Sequence, residues 1–322
     1  MSDEETKADR QPVVILGGPT ASGKSALAAA IARAFDGTVI NADSMQVYRE
    51  LPVLTAQPSA AERAAVPHRL YGFLPVTERC SAARWAALAR SEIEAAHDSG
   101  RLPIVVGGSG LYLKALVEGL APVPEIPADV REAARRRLAE IGKAAFHAEL
   151  AQRDPQMAAR LRPGDSQRMV RAWEVMAATG RSLAAWQAQS VRPPDGAARF
   201  AKFLLLPERS LLYAACDARF AAMVARGALE EARQVAALAD DPGLPGLKAL
   251  GLRELIRHVR GDVTLGAAIA AGQQATRRYA KRQITWFRHQ FDGAWQIGAE
   301  MSIGQFSESF LAGIYNFIRI SC

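Results

Sequence analysis

Three cysteines, Cys80, Cys216 and Cys322, are all that this chain of 322 residues contains, and no two form a Cys-x-x-Cys pair. That scarcity and spacing exclude a disulfide framework and a zinc finger, and fit a reducing compartment. The histidines His68, His97, His147, His258 and His289 show no metal-ligand spacing, so no zinc is expected. Long apolar runs are also missing. Even Phe310–Ile320 falls short of the roughly 18 residues that cross a bilayer. Met1 to Arg10 are polar and charged, without the apolar segment of a secretory signal. A cytoplasmic protein with no membrane association is expected.

What is present supports a large folded unit. Apolar residues make up 49% of the chain, enough for a proper core and against wholesale disorder. Lys plus Arg number 40 against 33 Asp plus Glu, a net charge of +7. That balance favours an anionic partner such as nucleic acid or a phosphorylated substrate, though it also serves simple solubility.

Patterning gives the organisation. Residues 1–11 read as a disordered leader. Val13-Val14-Ile15-Leu16 is an apolar run ending in Gly17-Gly18, the mark of a buried parallel strand. Lys24 to Phe35 is helical, Asp36-Gly37 a turn, Thr38-Val39-Ile40 a second strand, and Leu102 to Val106 a third, ending in Gly107-Gly108. Strands alternating with helices predict an α/β fold with a doubly wound parallel sheet, and Gly18 to Ser25 between the first strand and its helix make it P-loop NTPase-like. Pro122, Pro124 and Pro127 then break the chain, and an arginine-rich helical stretch closes at Pro193-Pro194-Asp195-Gly196. Phe203 to Leu206 reads as a strand rejoining the sheet, with helices from about 209 to 290. The expected division is therefore a core of 12–122 and 197–298 with a helical insertion, 123–196. The tail, 299–322, carries no readable motif.

Gly18-Pro19-Thr20-Ala21-Ser22-Gly23-Lys24-Ser25 matches Gly-x4-Gly-Lys-Ser/Thr in full, with a strand before and a helix after. In that context the backbone N–H groups and the helix start cradle phosphates, Lys24 adds a point charge, and Ser25 can ligate Mg²⁺. The motif does not say whose phosphates. The third strand ends in Gly107-Gly108-Ser109-Gly110 without an acid, which counts against an ATP-driven machine. The second strand ends in Asn41-Ala42-Asp43-Ser44. Strand C-termini face the ligand crevice, so Asp43 is either a general base beside the P-loop or a cap on a following helix.

Several segments resemble, in order, the signatures of the tRNA dimethylallyltransferase (isopentenyltransferase) family. They are Gly18–Ser25, Asp43 to Tyr48, Pro67 to Leu70, Gly107 to Tyr112, Asp165 to Arg168 with Arg171-Ala172, Asp217 to Phe220, Gly251 to Glu254 and Thr276 to Trp286. The resemblance runs from about 13 to 291. The chain departs from the family in Ser109 where threonine is usual, in Leu54 and Gln57 of Leu54-Thr55-Ala56-Gln57-Pro58, near Gly72, and in the tail.

The resemblance implies that Gly18, Pro19, Thr20, Ala21, Ser22, Gly23, Lys24 and Ser25 hold dimethylallyl diphosphate with Mg²⁺ on Ser25. It makes Asp43 the base, with Ser109 assisting and Arg219 stabilising the leaving diphosphate. It implies a tRNA anticodon stem-loop as partner. The expected contacts are Asp43, Ser44, Met45, Gln46 and Ser109, then Arg131, Gln167, Arg168, Met169, Val170 and Arg171 of the insertion. Lys248, Arg253, Thr276, Arg277, Arg278, Lys281, Arg282 and Gln283 complete the set, with Tyr279, Trp286 and Arg288 on the same helix. A monomer is expected. Trp173, Trp186 and Met176 read as core. The rivals are a P-loop small-molecule or nucleotide kinase, an adenylate isopentenyltransferase acting on a free nucleotide, and a non-catalytic RNA-binding protein with a nucleotide switch. The basic helix and the insertion are superfluous for either small-molecule enzyme.

Overall fold

The computed structural model describes residues 11–189, 198–241 and 243–297, with Ile314 and Phe317. Residues 1–10 of the expected leader, the turn at Pro193–Gly196 and most of the tail lie outside them.

Apolar, β-branched runs form the sheet. β1 (Pro12–Gly17) leads through α1 (Lys24–Ala34) to β2 (Gly37–Asn41). α2 (Ala60–Ala65), the short β3 (His68–Arg69), α3 (Ala82–Asp98), β4 (Leu102–Gly107) and α4 (Gly110–Val117) follow. The six strands are ordered β3-β2-β4-β1-β5-β6 and all pairs are parallel. The fifth strand, β5 (Arg199–Leu205), begins at Arg199 rather than Phe203, and the edge strand β6 (Trp295–Ile297) was not expected.

Both faces are covered, which is why the central strands are continuously apolar. Successive residues of β1 serve opposite cores. Val13 and Ile15 pack with Trp85, Ala89, Leu113 and Phe287, whereas Val14 and Leu16 pack with Leu27, Ala28 and Ile31 of α1. The chain moves outward from β1 on one side and returns with β5 on the other. The carboxyl end of β1 therefore faces the crevice where doubly wound sheets bind ligands.

The insertion, Glu118–Pro194, is a compact unit with its own core. It comprises α5 (Ala128–Arg153, broken at Gly142), α6 (Pro155–Ala158), α7 (Ser166–Thr179) and α8 (Leu183–Gln187). Phe146, Leu150, Met169, Ala172 and Val175 fill its centre, with Trp173 and Trp186 partly buried against them.

The remaining helices belong with the sheet. They are α9 (Arg209–Met223), a π-helical turn (Val224–Ala228), α10 (Leu229–Ala236), a 3-10 turn (Pro245–Lys248), α11 (Leu252–Val259) and the long α12 (Leu265–Gln290). They share a core with the segment after β2 through Val47, Leu51, Leu54, Phe220, Leu252 and Ala268. Two hydrogen bonds fix that segment: the Glu231 carboxylate accepts the N–H groups of Val53 at 2.6 Å and Leu54 at 2.8 Å. Among the described residues no helix is long and apolar enough to cross a membrane.

Candidate active site at the carboxyl ends of the strands

The phosphate cradle forms where β1 stops. Gly23 adopts φ +85° as the N-cap of α1, and no side chain caps that helix. Its first N–H groups and positive dipole end are left for an anion. The Ser22 hydroxyl is buried without a hydrogen-bond partner. A buried polar atom left unpaired is costly, and a phosphate oxygen in the cradle would satisfy it. Lys24 is 8% exposed, and its ammonium donates to the Pro19 carbonyl at 3.1 Å. Burial, and then the nearby Arg219 guanidinium, lower its pKa from 10.5 to about 8, against the opposing pull of Asp43. Arg219, on α9, is itself lowered by burial and held up chiefly by Asp43. Lys24, Asp43 and Arg219 therefore share one field.

Asp43 is placed by the end of β2. Buried Asn41 accepts the Asp43 N–H at 2.8 Å and donates to the carbonyls of Asp43 (3.1 Å) and Leu70 (2.9 Å). One carboxylate oxygen accepts the Met45 N–H at 2.9 Å. No helix follows at this point, so Asp43 closes a local turn rather than capping a helix.

Ser109 arrives from β4. A Cβ on Gly107 would stand 2.1 Å from the Ala42 carbonyl, so only glycine lets the ends of β2 and β4 approach this closely. The Ser109 N–H then reaches the Ala42 carbonyl at 3.2 Å. Its hydroxyl accepts the Ser44 N–H at 2.8 Å and donates to the Ser44 hydroxyl at 3.1 Å. Burial, and then the negative charge of Asp43, raise the pKa of the nearby Tyr279 hydroxyl.

A cleft of about 610 Å³ opens beside the cradle, lined by Ser25, Gln46, Gln57, Glu62, His68, Tyr71 and Arg226 among others. Burial lowers the His68 pKa, and its Nδ1 lies 2.7 Å from the Val66 carbonyl. Gln57 donates to the Tyr48 carbonyl at 2.7 Å. Ser25 is exposed at the start of α1 and borders this cleft. Mg²⁺ beside phosphates keeps several waters and takes few protein ligands, so one hydroxyl there fits such an ion.

The expected tRNA contacts divide by burial. Gln167 and Arg168 on α7 are exposed, as are Lys248, Arg253, Arg278, Lys281 and Arg282. Arg131, Val170 and Arg171 are half-buried, Arg171 lying 3.4 Å from Glu174. Arg277 is paired with Asp217. Five residues do not stand open to a partner, Ser109 at 9% exposure being one. Met169 is fully buried in the insertion core. Buried Thr276 donates to the Gly272 carbonyl at 2.8 Å. Buried Gln46 donates to the carbonyls of Thr55 and Ala56, both at 2.9 Å. Gln283, 5% exposed, uses its amide on Thr20 and Gly108. Met169, Thr276 and Gln283 lie on the inward faces of their helices and Gln46 in a loop tied by its own amide, and sequence proximity to basic residues says nothing about exposure. Glu231 and the packing role of Gln283 escaped sequence reasoning. The buried row Gly272, Thr276, Ala280, Gln283, Phe287 at helical spacing was the signal available for the last.

The IPP transferase family model matches residues 46–290. A tRNA dimethylallyltransferase of Rhodospirillum centenum is 59% identical over 284 residues, covering 88% of this chain and 90% of the relative. That of Paramagnetospirillum magneticum is 56% identical, covering 96% of each. Among solved structures, a tRNA isopentenylpyrophosphate transferase of Bacillus halodurans superposes with a TM-score of 0.68 at 30% identity, over 97% of this chain and 98% of that one. A eukaryotic dimethylallyltransferase acting on tRNA shares the fold, with a TM-score of 0.79 at 24% identity, over 96% of this chain and 80% of the other. Likeness of this extent spans both the cradle and the segments that carry Asp43, Ser109 and Arg219, and on it the chain belongs to the tRNA dimethylallyltransferase family of IPP transferases.

Proposed function

We propose that the chain transfers the dimethylallyl group of dimethylallyl diphosphate to the exocyclic N6 amine of the adenosine on the 3′ side of the anticodon, in tRNAs reading codons that begin with U. The products are N6-isopentenyladenosine and diphosphate. The observation that carries this reading is the convergence of Lys24, Asp43 and Arg219 in one partly buried field.

The bond from the allylic carbon to the bridging oxygen breaks, and negative charge grows on the diphosphate. Lys24, the first N–H groups of α1, the Ser22 hydroxyl and the Arg219 guanidinium stabilise that charge before water can. Mg²⁺ on Ser25, when bound, supplies further neutralisation of the leaving group. The adenine N6 lone pair, delocalised into the ring, forms the new carbon–nitrogen bond as the Asp43 carboxylate takes its proton. Ser109, tied to Ser44, keeps the wall beside Asp43 in place and assists there.

A stacked base cannot reach such a site, so the adenosine must be splayed from the anticodon loop. Exposed Arg278, Lys281 and Arg282 on α12, Lys248 and Arg253, and Gln167 and Arg168 on the insertion are assigned to the RNA. Labelled dimethylallyl diphosphate, unmodified tRNA and Mg²⁺, followed by nuclease digestion, test the reading. Label in the adenosine beside the anticodon is expected. Label on free AMP, or on no nucleoside, overturns it.

A further inference from the structure

The buried row of α12 runs Ala268, Gly272, Thr276, Ala280, Gln283 and Phe287. Thr276 satisfies its hydroxyl within the helix. Gln283 instead reaches out of the helix in two directions. Its Oε1 accepts the backbone N–H of Thr20, in the middle of the phosphate loop, at 2.9 Å. Its Nε2 donates to the carbonyl of Gly108, the residue before Ser109, at 2.8 Å. A Cβ on Gly108 would stand 2.1 Å from that nitrogen, so the glycine makes room for the amide. Lys281 and Arg282 stand exposed on the same turn.

We propose that Gln283 is a positioning residue, a neutral clamp that sets the donor loop against the loop carrying Ser109 and so fixes the approach of the allylic carbon to the amine. The inference rests on the phosphate loop being the donor cradle. One amide offers an acceptor and a donor at fixed separation, and both partners are backbone groups that cannot change chemistry. Truncation leaves the half-buried Thr20 N–H and the buried Gly108 carbonyl unmatched and lets two loops drift whose relative placement decides the transfer rate. The role belongs to the chemical step and not to RNA affinity.

Gln283→Glu and Gln283→Met test it in the full chain beside wild type. An ionised glutamate has only acceptors and repels the Gly108 carbonyl. A protonated one has an O–H donor and an acceptor, restoring both hydrogen bonds, and burial raises its pKa toward neutrality. Single-turnover transfer, tRNA dissociation constants and folded fraction by circular dichroism are measured from about pH 6 to 8.5, with rates normalised to folded protein. The Gln283→Glu rate relative to wild type is expected to rise about tenfold on acidification, while Gln283→Met stays about tenfold or more below wild type throughout. Both should bind tRNA as wild type does. A flat Gln283→Glu ratio, a tRNA affinity loss that accounts for the defect, or a folded Gln283→Met as fast as wild type overturns the clamp and leaves the function standing. Absence of transfer by wild type overturns both.

Discussion

The Ser109 hydroxyl accepts the Ser44 backbone N–H at 2.8 Å and donates back to the Ser44 hydroxyl at 3.1 Å. The loops after β4 and β2 are thereby tied one residue from Asp43. Ser109→Ala removes the acceptor and leaves that N–H unmatched, at a cost of about 1–3 kcal/mol. The turnover number should fall by roughly tenfold or more, with little change in the Michaelis constant for dimethylallyl diphosphate. Ser109→Thr keeps the hydroxyl and should stay near wild type. Steady-state kinetics of the two variants check this.

Lys24 gives a pH dependence with a definite sign. In the folded chain without donor its pKa is about 8, against 10.5 for an unburied lysine. Between those values the unfolded chain binds more protons, so the stability of the unliganded protein should rise as pH increases from 8 toward 10.5. A bound diphosphate favours the charged form. Above pH 8 binding should take up a proton, and affinity should fall as pH rises. Calorimetry at about pH 8.5 in buffers of different ionisation heat measures that uptake, and Lys24→Met should abolish it.

Phe220, next to Arg219, is wedged between two glycines. A Cβ on Gly251 would meet its ring at 2.1 Å and one on Gly272 at 2.3 Å. In most helices Gly→Ala is stabilising by about 1 kcal/mol. Here the clash is with a buried ring, and overpacking costs about 1–3 kcal/mol. Gly272→Ala should therefore lower the melting temperature by a few degrees and reduce turnover through displacement of Arg219.

Exposed cations on α12 should affect tRNA and not donor. Lys281→Ala with Arg282→Ala should raise the Michaelis constant for tRNA and leave that for dimethylallyl diphosphate unchanged. The slope of log affinity against log salt should become shallower by about 0.7–0.9 for each phosphate that the variant no longer neutralises. Titration of labelled tRNA at several salt concentrations reads this directly.

The parallel sheet was legible because β1, β2, β4 and β5 carry buried apolar runs, and the phosphate loop because its spacing is long and its residue types are constrained by phosphate geometry. β3 and β6 were not legible: His68–Arg69 and Trp295–Ile297 are short edge strands that complete a sheet without a run of their own. Asp43 could be placed at a strand end, but its field with Lys24 and Arg219 depends on α9 packing against α12 and the phosphate loop. Burial of Met169, Thr276 and Gln283 turned on which face of each helix meets a neighbour, and motif resemblance carries no such information. Glu231, anchoring the segment at Val53 and Leu54 from 177 residues away or more, gave no local signal at all.

Asp43 is proposed to take the proton from the amine as the carbon–nitrogen bond forms. Asp43→Asn preserves shape and the hydrogen bond from Met45 while removing the base. Single-turnover transfer to unmodified tRNA should slow by about 10²–10⁴-fold, with donor and tRNA binding near wild type. A transfer rate within a few-fold of wild type, under the same saturation, would contradict the account.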